Sequence, residues 1–212
     1  MKKALCSLFF MTLIPLAVPA LNLWGIEITG IEIHSGLLSI SNTVVDSAPA
    51  PLVNPVGLSI PFRYGEYFVF RPEVSVFWNP YEWNGQRAIP TEANLFDAVM
   101  MMGLVIHPQA GIIYSLFPRL AVSGEAGLAF VNRFPIGFLG DGGDQALDIT
   151  AWFVAGRFLY PSLSGSLLWQ ISELFTLSLR YTFLYPIFQL WNPEPWNDQV
   201  ISGFELGLRF NF

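Results

Sequence analysis

The chain has 212 residues, of which 53% are hydrophobic and only 12% are charged, with a formal net charge of −6. A soluble domain of this length needs a more polar surface, so the composition indicates that water is not its only solvent. Because every lysine and the one cysteine fall within the first 20 residues, the rest of the chain excludes disulfides, thiol catalysis, cysteine metal sites and a basic surface for nucleic acid.

Residues 1–20 have the three parts of a secretory signal peptide. Two lysines precede an apolar stretch that ends at Val18, and the small Ala20 suits cleavage by a signal peptidase. An uncleaved anchor helix is the weaker alternative, since Pro15 interrupts a stretch already shorter than the roughly 20 residues that span a bilayer. We therefore predict a cleaved signal peptide, residues 1–20, followed by one domain, residues 21–212.

Beyond the signal peptide, apolar side chains recur mostly at every second position, which is the period of a β-strand. Between Phe175 and Tyr185, every odd position is apolar or aromatic, whereas the even positions include Arg180 among threonine and serine residues. A spanning helix would place such charges in lipid, which is costly, so the pattern favours strands. The eight predicted strands cover residues 24–43, 56–64, 67–78, 96–116, 120–132, 150–170, 174–185 and 199–212.

The connections between these strands alternate in length. Three short connections of three residues are predicted at 64–66, 117–119 and 171–173, and the remaining four are long and rich in Pro, Gly, Asn and Asp. This alternation is typical of barrels with short periplasmic turns and long outer loops. The predicted fold is all-β, an eight-stranded antiparallel up-and-down transmembrane β-barrel.

The last predicted strand carries a recognisable motif at its end. Glu205, Gly207, Phe210 and Phe212 supply a polar residue, a glycine two places on, and alternating hydrophobic residues that end in an aromatic. The segment resembles the insertion signal of bacterial outer-membrane proteins, and with its strand number the chain resembles the small eight-stranded barrels typified by OmpW, OmpX and the OmpA membrane domain. This resemblance implies an outer-membrane location and recognition by the barrel-assembly machinery.

Alternation also predicts which charged side chains face the barrel interior. An eight-stranded barrel is about wide enough for its own side chains to fill. Five acids and five arginines would then form a neutral network that either plugs the lumen or leaves a narrow polar path, since an unpaired buried charge is costly. The predicted members are Glu27, Glu32, Glu73, Glu125, Glu205, Arg63, Arg71, Arg157, Arg180 and Arg209.

Sites for catalysis or metal are weakly indicated. His107 is placed on the lumen face with Ser115 and Ser123 as its nearest candidate nucleophiles, but no motif surrounds them, so a histidine in an interior polar network is favoured over a catalytic base. The acidic segment 141–148 lacks the alternating ligands of a calcium loop and is interpreted as a solvated turn. We predict no catalytic residue, metal or cofactor.

These observations predict an integral outer-membrane barrel without catalysis. Its role would be structural, surface interaction or passage of small solutes, including hydrophobic ones, for which Gly103, Gly111, Gly127 and Ala129 could leave room inside. A narrow porin-like channel and a lipid-modifying enzyme are the alternatives. The predicted partners are outer-membrane lipid, the assembly machinery, and a small solute or extracellular ligand at outer segments such as 141–148 and 191–196; nucleic acid is not among them.

Overall fold

The computed structural model describes residues 25–43, 52–91, 98–138, 142–191 and 195–212, so the predicted signal peptide lies outside the described residues. These ranges contain twelve strands, one α-helix and two short 3-10 helices. The strands are β1 (Ile26–Ile28), β2 (Gly30–Ile40), β3 (Leu52–Val53), β4 (Val56–Ser59), β5 (Phe62–Tyr64), β6 (Phe68–Trp83), β7 (Ala88–Pro90), β8 (Val99–Phe117), β9 (Leu120–Phe138), β10 (Leu159–Gln170), β11 (Phe175–Leu184) and β12 (Ile201–Asn211). The α-helix is α1 (Ala146–Val154), and the 3-10 helices are Gly142–Gln145 and Ile187–Leu190.

The strands form one closed antiparallel barrel whose wall has eight strands. β1 and β2 together make the first wall strand, and β3, β4 and β5 make the second. β6, β8, β9, β10, β11 and β12 make the other six, and β7 folds back on the end of β6. The wall closes where β12 pairs with β2. The predicted eight-stranded up-and-down barrel is confirmed.

One end of the barrel, here called the turn end, carries the short connections 65–67, 118–119 and 171–174. Each differs slightly from the predicted three-residue loops, and a bulge between Ser115 and Phe117 accompanies the shortest of them. The opposite end, here called the loop end, carries the four long connections. Two of its strands run further than predicted, since β6 continues to Trp83 and β9 to Phe138.

Side chains alternate between the two faces of the wall as the sequence predicts. In β11, Arg180 is 1% exposed whereas the neighbouring Leu179 is 43% exposed. The same alternation leaves many large apolar side chains uncovered on the outer face, including Ile33, Leu58 and Leu206. Such a face suits hydrocarbon, because the outward positions of a membrane barrel form an apolar band.

The predicted strand 150–170 is wrong over its first part, because α1 occupies Ala146–Val154 and β10 begins only at Leu159. The segment follows the helical period instead: Ala146, Ile149 and Phe153 are spaced by three and four residues and are all buried. Gly156, at φ +91°, lies just after the helix, where a residue in the left-handed region commonly ends one.

The interior is layered along the barrel axis. Charged and polar side chains fill the half toward the turn end. Above them lies an apolar layer that includes Phe77, Val105, Val131 and Leu184. A second apolar cluster follows at the loop end, where α1 packs against the inner face of β6 and β8. None of the helices described is long and apolar enough to cross a membrane.

Candidate functional site

The charged half of the lumen contains a cluster of seven ionised side chains, here called the inner charge cluster. Five different strands, β2, β6, β9, β11 and β12, contribute to it, because each places an inward-facing position at the same level. All seven side chains are at most about one tenth exposed. The members are Glu32, Glu73, Glu125, Glu205, Arg71, Arg180 and Arg209.

Arg180 lies at the centre of this cluster. Its Nη1 donates to Glu73 Oε2 at 2.5 Å and its Nη2 donates to Glu32 Oε1 at 2.6 Å. Glu32 also accepts from Arg209, whose Nη2 lies 3.2 Å from Glu32 Oε2. One carboxylate from β2 therefore bridges arginines from two other strands, and the wall is cross-linked through its interior.

A second branch of the inner charge cluster joins β6 to β9. Arg71 donates to Glu125 Oε2, and Ser123 donates to Glu125 Oε1 at 2.8 Å. Arg71 also approaches Glu32 Oε1, at 3.7 Å, so the two branches meet at Glu32. Glu32 and Arg71 are 0% and 1% exposed, so both side chains are shielded from bulk solvent where they meet.

Two buried histidines adjoin the cluster. His34 Nε2 lies 3.3 Å from Glu73 Oε1 and 3.7 Å from Glu205 Oε1. His107 Nε2 lies 2.6 Å from Ser162 Oγ, and its Nδ1 lies 3.9 Å from Glu73 Oε1. The sequence pattern could have placed His34 inside the barrel, because it is two residues from the inward-facing Glu32 on the same strand and so faces the same side.

The contact between His107 and Ser162 corrects the predicted neighbours of His107. Ser123 bonds Glu125 instead, and Ser115 is exposed at the turn end. Serine, histidine and glutamate are the residue types of a hydrolase triad. Ser162 and His107 are, however, 5% and 2% exposed, so an acyl chain in the surrounding lipid has no path to the hydroxyl.

Three predicted members of the lumen network do not belong to the inner charge cluster. Glu27 and Arg63 face each other across β1 and β5 at the turn end, where Glu27 is exposed and Arg63 donates to Glu66 O at 2.8 Å. Arg157 lies between α1 and β10, with its guanidinium 4.4 Å from the Trp152 ring centre. Strand alternation does not apply there because the chain has just left a helix.

The apolar layer fills the space that small inward residues were predicted to leave open. A Cβ at Gly103 would overlap the Phe77 ring, and one at Gly111 would lie 2.8 Å from Glu125 Cγ. At Gly127 it would lie 2.9 Å from Gln109 Cγ, and Ala129 is fully buried. The small residues therefore accommodate neighbouring side chains of the barrel, and passage of a solute past them stays a prediction.

Helix α1 covers the loop end of the lumen. Its residues Ile149 and Phe153 are 0% and 2% exposed, packed with Tyr81 and Met101. Beneath the helix, Arg133 is 3% exposed and lies 4.2 Å from the Phe153 ring centre. A guanidinium over an aromatic face is attractive, so this contact joins the helix to β9.

The aromatic surroundings of Arg133 were missed by sequence reasoning. Its Nε donates to the Tyr81 hydroxyl at 3.2 Å and its Nη2 to the Tyr160 hydroxyl at 3.4 Å. Arg133 is eight residues after Glu125 on β9 and so faces the same, inward side. The predicted strand ended at residue 132 and therefore did not include it. A longer strand would have placed it inside the barrel.

The chain resembles solved outer-membrane barrels in structure. Neither a protein-family model nor a curated protein matches the sequence. A crystal structure of Neisserial surface protein A matches 89% of this chain and 97% of its own, with a TM-score of 0.54 and 11% identity. The fold is that of small outer-membrane β-barrels.

A second solved barrel agrees. Ail of Yersinia pestis, solved in complex with the heparin analogue sucrose octasulfate, matches 87% of this chain and 97% of its own, with a TM-score of 0.50 and 8% identity. At such identities the outer-membrane barrel fold is shared and nothing finer follows. Membership of an OmpW, OmpX or OmpA branch stays a prediction.

The loop-end residues that the structure describes also hold a partly buried ion pair. Arg87 donates to Asp198 Oδ2, and Thr43 donates to Asp198 Oδ1 through its N and Oγ1, both at 2.9 Å. Asp198 is fully buried, so three long connections are tied together at one point. Of the two predicted outer segments, 141–148 and 191–196, residues 141 and 192–194 lie outside the described residues.

Proposed function

We propose that the chain is an integral outer-membrane protein, exported through a cleaved signal peptide, that acts through its loop end and not as a passive pore. The outer-membrane barrel fold and the apolar outer face support the membrane location. The short turns at one end and the long connections at the other support a loop end directed to the cell exterior. The C-terminal motif supports recognition by the barrel-assembly machinery.

The observation that carries this proposal is the filling of the lumen. The inner charge cluster, the apolar layer around Phe77 and helix α1 succeed one another along the axis. Each excludes water by a different means, through paired charges, packed apolar side chains and a covering helix. A conducting path would have to open all three, which argues against passive passage of solutes.

The sequence of the long connections at the loop end is rich in acidic residues. Connections 41–51, 84–98, 139–158 and 185–200 contain eight acidic residues and only two arginines, Arg87 and Arg157. Both arginines are partly buried against other loop-end residues, Asp198 and Trp152. This excess of acidic residues in the sequence, of which Asp144 and Asp148 are exposed, favours a positively charged partner and disfavours a polyanion such as the heparin analogue bound to Ail.

Electrical recording tests the closed lumen. The refolded full barrel is expected to give no unitary conductance in planar lipid bilayers, while a general porin in the same membranes provides the positive control. Reproducible conductance steps from the wild-type barrel would support the channel alternative instead. Lipid hydrolysis that disappears in His107→Ala would support the enzyme alternative.

Partner choice is tested on the barrel held in lipid nanodiscs. Poly-lysine is expected to bind more tightly than heparin, and its binding is expected to weaken as salt concentration rises. Asp144→Asn and Asp148→Asn, both at the loop end, should weaken poly-lysine binding, whereas Glu173→Gln at the turn end should not. Equal binding of both polymers would contradict an acidic interaction surface.

A further inference from the structure

Three ligand atoms converge inside the lumen beside the inner charge cluster. They are His34 Nε2 on β2, Glu73 Oε1 on β6 and Glu205 Oε1 on β12, and all lie within 4.8 Å of one another. All three residues are buried. We propose that these atoms bind one divalent transition-metal ion of the zinc type.

The distances suit such an ion. Zinc bound to nitrogen and oxygen at about 2.0–2.1 Å in tetrahedral geometry keeps its ligand atoms about 3.3 Å apart. His34 Nε2 lies 3.3 Å from Glu73 Oε1 and 3.7 Å from Glu205 Oε1. One imidazole and two carboxylates are also a ligand set that zinc accepts, with water as the fourth ligand.

His34 itself points to a ligand. It is 1% exposed, and neither ring nitrogen makes a hydrogen bond within the part of the chain that the structure describes. Nε2 lies at ion-pair distance from two carboxylates without the geometry of a hydrogen bond to either, and buried polar atoms usually make one, so this arrangement requires an explanation. Gly57 helps to create the site, since a Cβ there would overlap His34 Nε2.

The remaining carboxylate oxygens are already oriented by other residues. Glu73 Oε2 accepts from Arg180 at 2.5 Å, and Glu205 Oε2 accepts from Thr182 Oγ1 at 2.9 Å. Each carboxylate therefore uses one oxygen in the protein network and turns the other toward His34. Hydrogen bonds of this kind to the ligating groups are a regular feature of metal sites.

Charge also favours a cation here. The inner charge cluster has four glutamates and three arginines, so it carries an excess of one formal negative charge. A buried charge of this kind is costly. A proton on His34 would neutralise it as well, so the experiment must distinguish a metal ion from a proton.

The test uses the full barrel refolded in detergent, with Zn²⁺ or Co²⁺ present during refolding because the site is enclosed. After removal of free metal, we expect one ion per chain, and for Co²⁺ the intense visible absorption of a tetrahedral complex. His34→Gln and Glu205→Gln should lose both signals. Glu125→Gln removes the same charge from the same cluster but no proposed ligand, so it should keep them.

Wild-type protein that retains no metal would overturn the proposal and leave the proton as the occupant, and so would loss of metal from Glu125→Gln equal to that from Glu205→Gln. If the ligand variants fail to fold, X-ray absorption of zinc-loaded wild type decides the matter. One imidazole with oxygen neighbours is expected around zinc, and a spectrum without imidazole would also overturn the site.

Discussion

The guanidinium of Arg133 on β9 lies 4.2 Å from the ring centre of Phe153 on α1. We predict that Arg133→Lys loosens the helix, because lysine lacks the planar group that stacks on the ring and bonds two tyrosine hydroxyls. A desolvated cation–π contact contributes about 2 kcal/mol, and because lysine keeps the positive charge, the stability of the helix contact should fall by less than that amount. Proteinase K should then cut faster between residues 142 and 158.

Arg119→Lys provides the control for this measurement, because Arg119 lies in an exposed turn at the opposite end. Equal cleavage rates in Arg133→Lys and wild type would mean that apolar packing alone holds α1 in place.

Replacement of Arg180 by leucine should destabilise the barrel without preventing its insertion. The change leaves Glu32 and Glu73 without their hydrogen bonds to Arg180. Breaking a buried ion pair costs about 3–5 kcal/mol, which urea unfolding followed by tryptophan fluorescence can measure. Membrane insertion should persist because position 180 faces the interior. Arg119→Leu is the exposed control, and a similar small effect in both variants would contradict a structural role for the network.

Much of this interior was predictable where strands follow a strict two-residue period. Glu73 and Arg180 lie more than 100 residues apart in sequence, yet alternation alone places both inside. The contact between them depends on barrel closure and on strand register, which local patterns leave undetermined. The alternation of side chains along a strand therefore predicts which residues face the lumen better than it predicts which of them form ion pairs.

The failures occur where the period changes. From Ala146 to Val154 the apolar spacing becomes helical, so Arg157 was assigned to a wall that begins only at Leu159. The apolar layer of the upper lumen, which includes the inward-facing Phe77, was not predicted either. A barrel interior that is filled by apolar packing needs no charged side chains. Where both the inner and the outer face of a strand are apolar, alternation alone does not show which face points inward.

Leu179→Arg should test which face of the wall contacts lipid. Leu179 is 43% exposed near the middle of β11 and pairs with Leu206 on β12. An arginine facing lipid at the bilayer midplane costs about 2–4 kcal/mol, and near the interface about 0–1 kcal/mol. Tyr64→Arg, at the turn end, is the matched interfacial control. Unfolding from lipid vesicles should show this difference, and equal costs would argue against the proposed membrane band.

Removal of Phe212 should impair assembly in cells more than stability in vitro. Its neighbour Asn211 is held to the wall by hydrogen bonds to Leu174 O at 2.9 Å and to Glu173 O at 3.0 Å, whereas the Phe212 side chain is 42% exposed. The barrel should therefore refold in detergent with nearly normal stability. In cells, the predicted loss of the insertion signal should lower the amount of heat-modifiable barrel in the outer membrane.

Phe117→Ala controls for the loss of an exposed aromatic residue at the same end, since Phe117 is 67% exposed and lies outside the C-terminal motif. It should leave assembly in cells nearly unchanged. If removal of Phe212 lowers refolding in detergent as much as assembly in cells, Phe212 acts through barrel stability, and the terminal aromatic residue is not a signal for the assembly machinery.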